Sequence, residues 1–147
     1  MKKTFSPKKT EVTRKWHFFD AKNQVLGRLS TQIAKLLMGK GKPTFSRHLD
    51  MGDHVVIVNA KHVTITGNKE VQKLHRHHSG YPGGMKRHTL KEVRDLHPDR
   101  LLIHAISGML PKNRLQDKML THLHVFPEAT HSYESQFKKE PSNQVTK

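Results

Sequence analysis

The chain has 147 residues, with 27 Lys and Arg against 12 Asp and Glu, a formal charge of +15 and no cysteine. The lack of cysteine excludes disulfides, thiol catalysis and Cys-ligated zinc or iron–sulfur sites, and no apolar run approaches the ~20 residues of a membrane span. With 33% hydrophobic residues the chain is expected to build one intracellular, soluble domain with a thin core, whose self-repulsion calls for a polyanion partner.

Residues 1–15 carry Lys2, Lys3, Lys8, Lys9, Arg14 and Lys15 against Glu11 alone, which reads as a basic arm. It is not read as a secretory signal, because no apolar stretch follows the basic start. Trp16-His17-Phe18-Phe19 reads as a first strand, ended by the turn-prone Asp20-Ala21-Lys22-Asn23. Leu26, Leu29, Ile33, Leu36 and Leu37 then recur at helical spacing, with Gly39 as a C-terminal stop. Arg28, Gln32 and Lys35 share the opposite side of that helix, and Gly39-Lys40-Gly41-Lys42-Pro43 follows as a basic loop.

Val55-Val56-Ile57-Val58 is a continuous β-branched run, suited to a central strand of a parallel sheet covered on both faces. Strand, helix and strand in this order suggest a right-handed βαβ crossover. After a short segment at 63–66, Gly67-Asn68-Lys69 is a turn. Residues 71–91 hold five Lys or Arg, four His and no acid, with the loop Gly80-Tyr81-Pro82-Gly83-Gly84 in their midst. Thr89 is expected to cap a helix to Leu96. A second helix opens at Pro98 and reaches Ile106 before Gly108 ends it, favoured by the proline over the strand that the apolar run 101–106 would also allow. A third opens at Pro111 and runs to Leu120 with Arg114 and Lys118 on one outer ridge. His122 to Phe126 alternates like an edge strand, and residues 127–147 read as a polar tail. The domain proper is then 16–126, with arm and tail mobile until they meet their partner.

Thirteen histidines invite a metal. His75-Arg76-His77-His78 is the densest cluster, but Ser79 stands where a binuclear hydrolase box places its Asp. No His-Glu-x-x-His helix exists either. Neither a metal nor a cofactor is expected. Gly41-Lys42 is followed by Pro43, so there is no P-loop, and no Gly-x-Gly-x-x-Gly follows the first strand. Asp20, Asp50 and Asp53 are expected to cap turns or pair with basic neighbours. The strong feature is charge: from Ala21 to Leu49 there are six Lys or Arg and no acid. Cations drawn from a helix, loops and an arm suit the irregular phosphate surface of folded RNA, and no single recognition helix for DNA is evident.

Several ordered motifs are familiar: Trp16 with Asp20-Ala21, Leu26-Gly27-Arg28-Leu29, Gly39-Lys40, Gly52-Asp53, Val58-Asn59-Ala60 and Thr66-Gly67-Asn68-Lys69. They continue with His78-Ser79-Gly80-Tyr81-Pro82-Gly83-Gly84 and Gly108-Met109-Leu110-Pro111-Lys112-Asn113-Arg114-Leu115. Together, from Trp16 to about Gln136, the chain resembles the L-thirteen family of large-subunit ribosomal proteins, bacterial type. Phe126, Tyr133 and Ser107 depart from residues common in that family. The resemblance implies a three-layer α/β/α fold around a small, mainly parallel sheet. It also implies a structural, non-catalytic role: binding large-subunit rRNA early in assembly, beside neighbouring ribosomal proteins, in the cytoplasm, with no membrane and no small-molecule substrate.

The residues expected at RNA are Arg28, Lys35, Lys40, Lys42 and Arg47 in the first half. Lys69, Lys73, Arg76, His77, His78, Lys86 and Arg87 surround the glycine-rich loop. Tyr81 is placed to stack on a base or to pack on its own domain, and Gly80, Gly83 and Gly84 to let RNA approach. Lys112, Arg114 and Lys118 complete the set. The rival readings are a metal-dependent hydrolase using His75, His77 and His78, and a nucleoid-type DNA binder.

Overall fold

The computed structural model describes residues 6–137; the first five residues of the arm and the tail beyond Phe137 lie outside them. β1 (Trp16–Asp20), α1 (Leu26–Met38) and β2 (His54–Val58) form the expected strand–helix–strand unit. β2 is central: β1 pairs with it in parallel on one side, Phe18 opposite Val56, and β5 (Leu123–Val125) in parallel on the other. Between β2 and β5 come α2 (Lys69–Gln72), β3 (Leu74–His78), β4 (Met85–Thr89), α3 (Leu90–Leu96), α4 (Pro98–Met109) and α5 (Gln116–Thr121). A last turn, α6 (Glu134–Phe137), follows β5.

Period-2 alternation decides what covers each face of the sheet. Val55 and Ile57 point into the main core, where they meet Leu29, Ile33 and Leu37 of α1 and Leu102 and Ile106 of α4, all fully buried. Leu123 and Val125 of β5 join the same core. The opposite face presents Trp16, Phe18, His54, Val56 and His124, and residues 131–137 lie across it. Trp16 stacks on His54 at 4.3 Å, Tyr133 lies 4.3 Å from His124, and Phe137 meets Phe18 edge-on at 5.7 Å. The sheet is thus covered by helices on one side and by an aromatic segment on the other.

Acids in the loop before β2 tie the basic elements together. Lys42 donates to Asp53 Oδ1 and to the carbonyls of Thr13 and Met51. The Lys15 N–H donates to the same carboxylate, and His17 Nε2 lies 3.1 Å from its other oxygen. Three residues earlier, Asp50 accepts from Arg14 at 3.0 Å and sits 2.9 Å from His122 Nε2. This loop presses on the end of α1. A Cβ on Gly52 would fall 2.0 Å from the Leu37 carbonyl, and Gly39 caps the helix at φ +72 directly over Met51.

Two expectations are corrected, and one stretch without an assignment is filled. No helix starts at Pro111: the Asn113 side chain accepts the Leu115 N–H at 3.1 Å, a local bond that competes with helix, so helix begins only at Gln116. Arg114 therefore stands in a turn and shares no helical ridge with Lys118. Gly108 does not end α4. Leu110 does, at ψ 151, because a residue before proline is driven out of the helical region. Residues 74–78 and 85–89, left unassigned by the apolar pattern, form an antiparallel hairpin separate from the main sheet.

Burial raises the Asp53 carboxyl, but hydrogen bonds from His17, Lys42 and the Lys15 N–H outweigh it and pull it from 3.8 down to about 2. Its stabilisation is therefore complete above about pH 4 and lost as pH falls toward 2. Asp53→Asn should lower stability by roughly 2–4 kcal/mol in neutral denaturant titrations, and should remove that stretch of the wild-type acid curve. A second dependence comes from the aromatic face. Burial, aided by the charge of His122, holds His54 and His124 below the ordinary 6.5, so the unfolded chain protonates first and stability falls as pH drops below about 6.5. Melts between about pH 7.5 and 5.5 should show a smaller decline in His54→Gln than in wild type.

Candidate nucleic-acid interface

Turning Leu29, Ile33 and Leu37 inward turns Arg28, Gln32 and Lys35 outward, since residues three and four apart share a helix face. The left-handed turn at Gly39 then brings Lys40 back toward them. Arg28, Lys35 and Lys40 border one open groove of about 970 Å³, together with Phe19, Gln32 and Gly41, and no acid lines it. None of these three cations has an ion-pair partner among the described residues.

The hairpin is the second basic element. Its strands put Arg76 directly opposite Arg87 and His77 opposite Lys86. Like charges directly opposite on a ladder are destabilising, and neither strand contains an acid. Tyr81 stands at the tip, 75% exposed, so it does not pack on its own domain. The tip glycines have an internal explanation. Gly80 and Gly83 hold φ of +90 and +73, and a Cβ on Gly84 would fall 2.0 Å from Ser79 Oγ. The turn demands them, with or without RNA. At the base of the hairpin, Thr89 caps α3 by accepting the Glu92 N–H, while Glu92 accepts the Thr89 N–H.

Lys69 and Lys73 bracket α2 and share a second groove with Arg28. Arg47 is exposed on the loop between α1 and β2, and Lys112, Arg114 and Lys118 are exposed around the start of α5. His77 and His78 are exposed on β3, and His78 Nδ1 accepts the Gly80 N–H at 2.9 Å. Lys42 does not belong with these residues. All three of its ammonium protons are accepted inside the protein, so it serves the fold and leaves Lys40, two residues away, to face outward.

A feature missed from the sequence is a cleft of about 390 Å³ where the hairpin meets α3 and α4, lined by His75, His88, His97, Arg100 and His104. His97, Arg100 and His104 recur at i, i+3 and i+7, a helical spacing that was available to be read. Burial, then the charges of His104 and Lys73, keeps His75 below its ordinary value. The His75 cluster is split by the strand: His75 and His77 point to one face and His78 to the other. Among the described residues no group of three or more His, Asp or Glu is arranged to hold a metal ion.

Five of the acids hold partners within the protein. Asp50 and Asp53 hold the arm and Lys42, Glu70 pairs with Arg94, Glu128 with Lys61, and Asp20 accepts from Asn59. The cations without an ion-pair partner among the described residues are spread over a groove, a hairpin and a turn, an arrangement that suits an irregular polyanion.

The family model for ribosomal protein L13 matches residues 14–132, from the end of the arm to the aromatic segment. The large ribosomal subunit protein uL13 of Saccharopolyspora erythraea is 52% identical over 91% of this chain and 90% of its own length. That of Thermotoga petrophila is 49% identical over 96% and 94%, and that of Rippkaea orientalis 48% identical over 92% and 90%. The matched span holds the sheet, both basic grooves and the hairpin, and on this evidence the chain belongs to the ribosomal protein L13 family.

Proposed function

We propose that this chain is a structural constituent of the large ribosomal subunit, resident in the cytoplasm, which binds large-subunit rRNA of the 23S type and holds converging segments of it together early in assembly. The observation that carries this reading is the hairpin. Arg76 faces Arg87 across a ladder with no acid in either strand, an arrangement that costs stability in the free protein and is relieved by phosphate. The relatives' name, large ribosomal subunit protein, supports the same assignment. The work is electrostatic and not catalytic: Lys and Arg neutralise phosphates and release counterions.

The contact set is Arg28, Lys35, Lys40 and Arg47, then Lys69, Lys73, Arg76, His77, His78, Lys86 and Arg87 with Tyr81 on a base, then Lys112, Arg114 and Lys118. The described end of the arm is fastened to Asp50 and Asp53 through Arg14 and the Lys15 N–H, and residues 131–137 stay on the second face of the sheet. Neighbouring ribosomal proteins pack where the RNA leaves the surface free.

The test is a pair of substitutions with opposite signatures. Arg76→Gln with Arg87→Gln should leave the free protein as stable or slightly more so. It should weaken rRNA binding and reduce the slope of log K against log salt by roughly 1–2. Lys42→Gln should lower the melting temperature and leave that slope unchanged. A hairpin variant that melts lower with an unaltered slope, or equal competition by duplex DNA, would overturn the assignment.

A further inference from the structure

The chain has nine glycines, and six have an internal reason. Gly39, Gly67, Gly80 and Gly83 adopt left-handed φ, and a Cβ on Gly52 or Gly84 would collide with neighbouring oxygen atoms. The other three, Gly27, Gly41 and Gly108, have ordinary φ and open space where a Cβ would go. All three border the two acid-free grooves, Gly41 the larger one and Gly27 and Gly108 the other. Gly27 and Gly108 also lie within α1 and α4, where glycine is a poorer helix former than alanine. Nothing inside the protein asks for glycine there. Something outside must come close.

The groove they border is about 590 Å³, with an apolar floor including Ile65, Leu90 and Met109 and a rim carrying Arg28, Lys69 and Lys73. The nearest acid in sequence, Glu70, is taken up by Arg94, so the three cations stay unneutralised among the described residues. The walls are fixed relative to each other by the packing of α1 against α4, where Leu29, Ile33, Leu102 and Ile106 share one core. A duplex presents phosphates and 2′-hydroxyls, which leave an apolar floor unused, whereas an unstacked base has a face to lay on it.

We propose that this groove seats a single-stranded stretch of rRNA. Its sugar–phosphate backbone passes against Gly27 and Gly108, phosphates meet Arg28, Lys69 and Lys73, and one base lies on the apolar floor beside His104. The inference rests on the reading of this chain as an rRNA-binding protein, and adds which surface takes unpaired RNA and why two helices carry glycine.

Gly27→Ala and Gly108→Ala test it, each measured free and with deproteinised large-subunit rRNA. Free, each should melt about 1–4 °C higher than wild type. With RNA, each should bind about fivefold or more weakly and lose hydroxyl-radical protection over one common, unpaired stretch. Lys73→Gln should lose protection over the same stretch and reduce the salt slope by about 0.7–0.9. Wild-type affinity in both alanine variants, a lower melting temperature, or lost protection confined to duplex would overturn the proposal while leaving the rRNA-binding reading intact. Failure of the wild-type protein itself to prefer rRNA over duplex DNA would sink both.

Discussion

A carboxylate 7% exposed, Asp53, gathers Lys42, His17 and the backbone of Lys15 around itself, and the remaining geometry of this highly cationic chain is hung from that knot. Four separate pieces meet there: the end of the arm, the first residues of β1, the basic loop after α1 and the entry to β2. The first three bring positive charge or N–H donors into a partly desolvated space where like charges repel more strongly than in water, and the fourth supplies the carboxylate. Asp50 does the same for Arg14 and His122, and so joins the entry to β5. With this loop fixed against the end of α1, the register of β1 on β2 and the rotation of α1 follow. That rotation is what turns Arg28 and Lys35 to solvent.

Elements whose burial follows a simple period were legible in the sequence. The α1 stripe, the β-branched run of β2 and the apolar face of α4 each commit their residues to one core, and periodicity records that commitment directly. The hairpin escaped because its strands alternate histidines and cations, with no apolar residue committed to a core. It is held by its glycine turn, by the ladder and by the capped start of α3, none of which has an apolar period. The turn at Pro111 was misread because proline favours a helix start only when nothing local competes. Asn113 competes, with its own side chain. Residues 131–137 looked polar on average, yet Tyr133 and Phe137, four residues apart, cover the second face of the sheet.

For the interface, sequence gave the quantity of charge but not its direction. Lys40 and Lys42 belong to the same basic loop and are indistinguishable by composition, yet one faces an open groove and the other is consumed by Asp53. The difference depends on an acid eleven residues further on, and only folding brings the two together. Glycine shows the same limit. The five-residue loop around Tyr81 drew attention because glycines cluster there, but turn geometry explains them, whereas the two isolated helical glycines have no explanation within the chain.

These features describe a protein whose folding is complete at its core and incomplete at its surface. Inside, every strongly committed carboxylate has its cations. Outside, opposed arginines, an acid-free groove on α1 and helical glycines above an apolar floor each carry a small cost that the free chain does not recover. A ligand that binds only the native state stabilises it in proportion to the logarithm of its concentration over its dissociation constant, so a polyanion meeting all three features at once repairs all three costs together. Stability and RNA affinity are then coupled with opposite signs along this surface: residues that a designer of the free protein would replace are the ones the RNA requires.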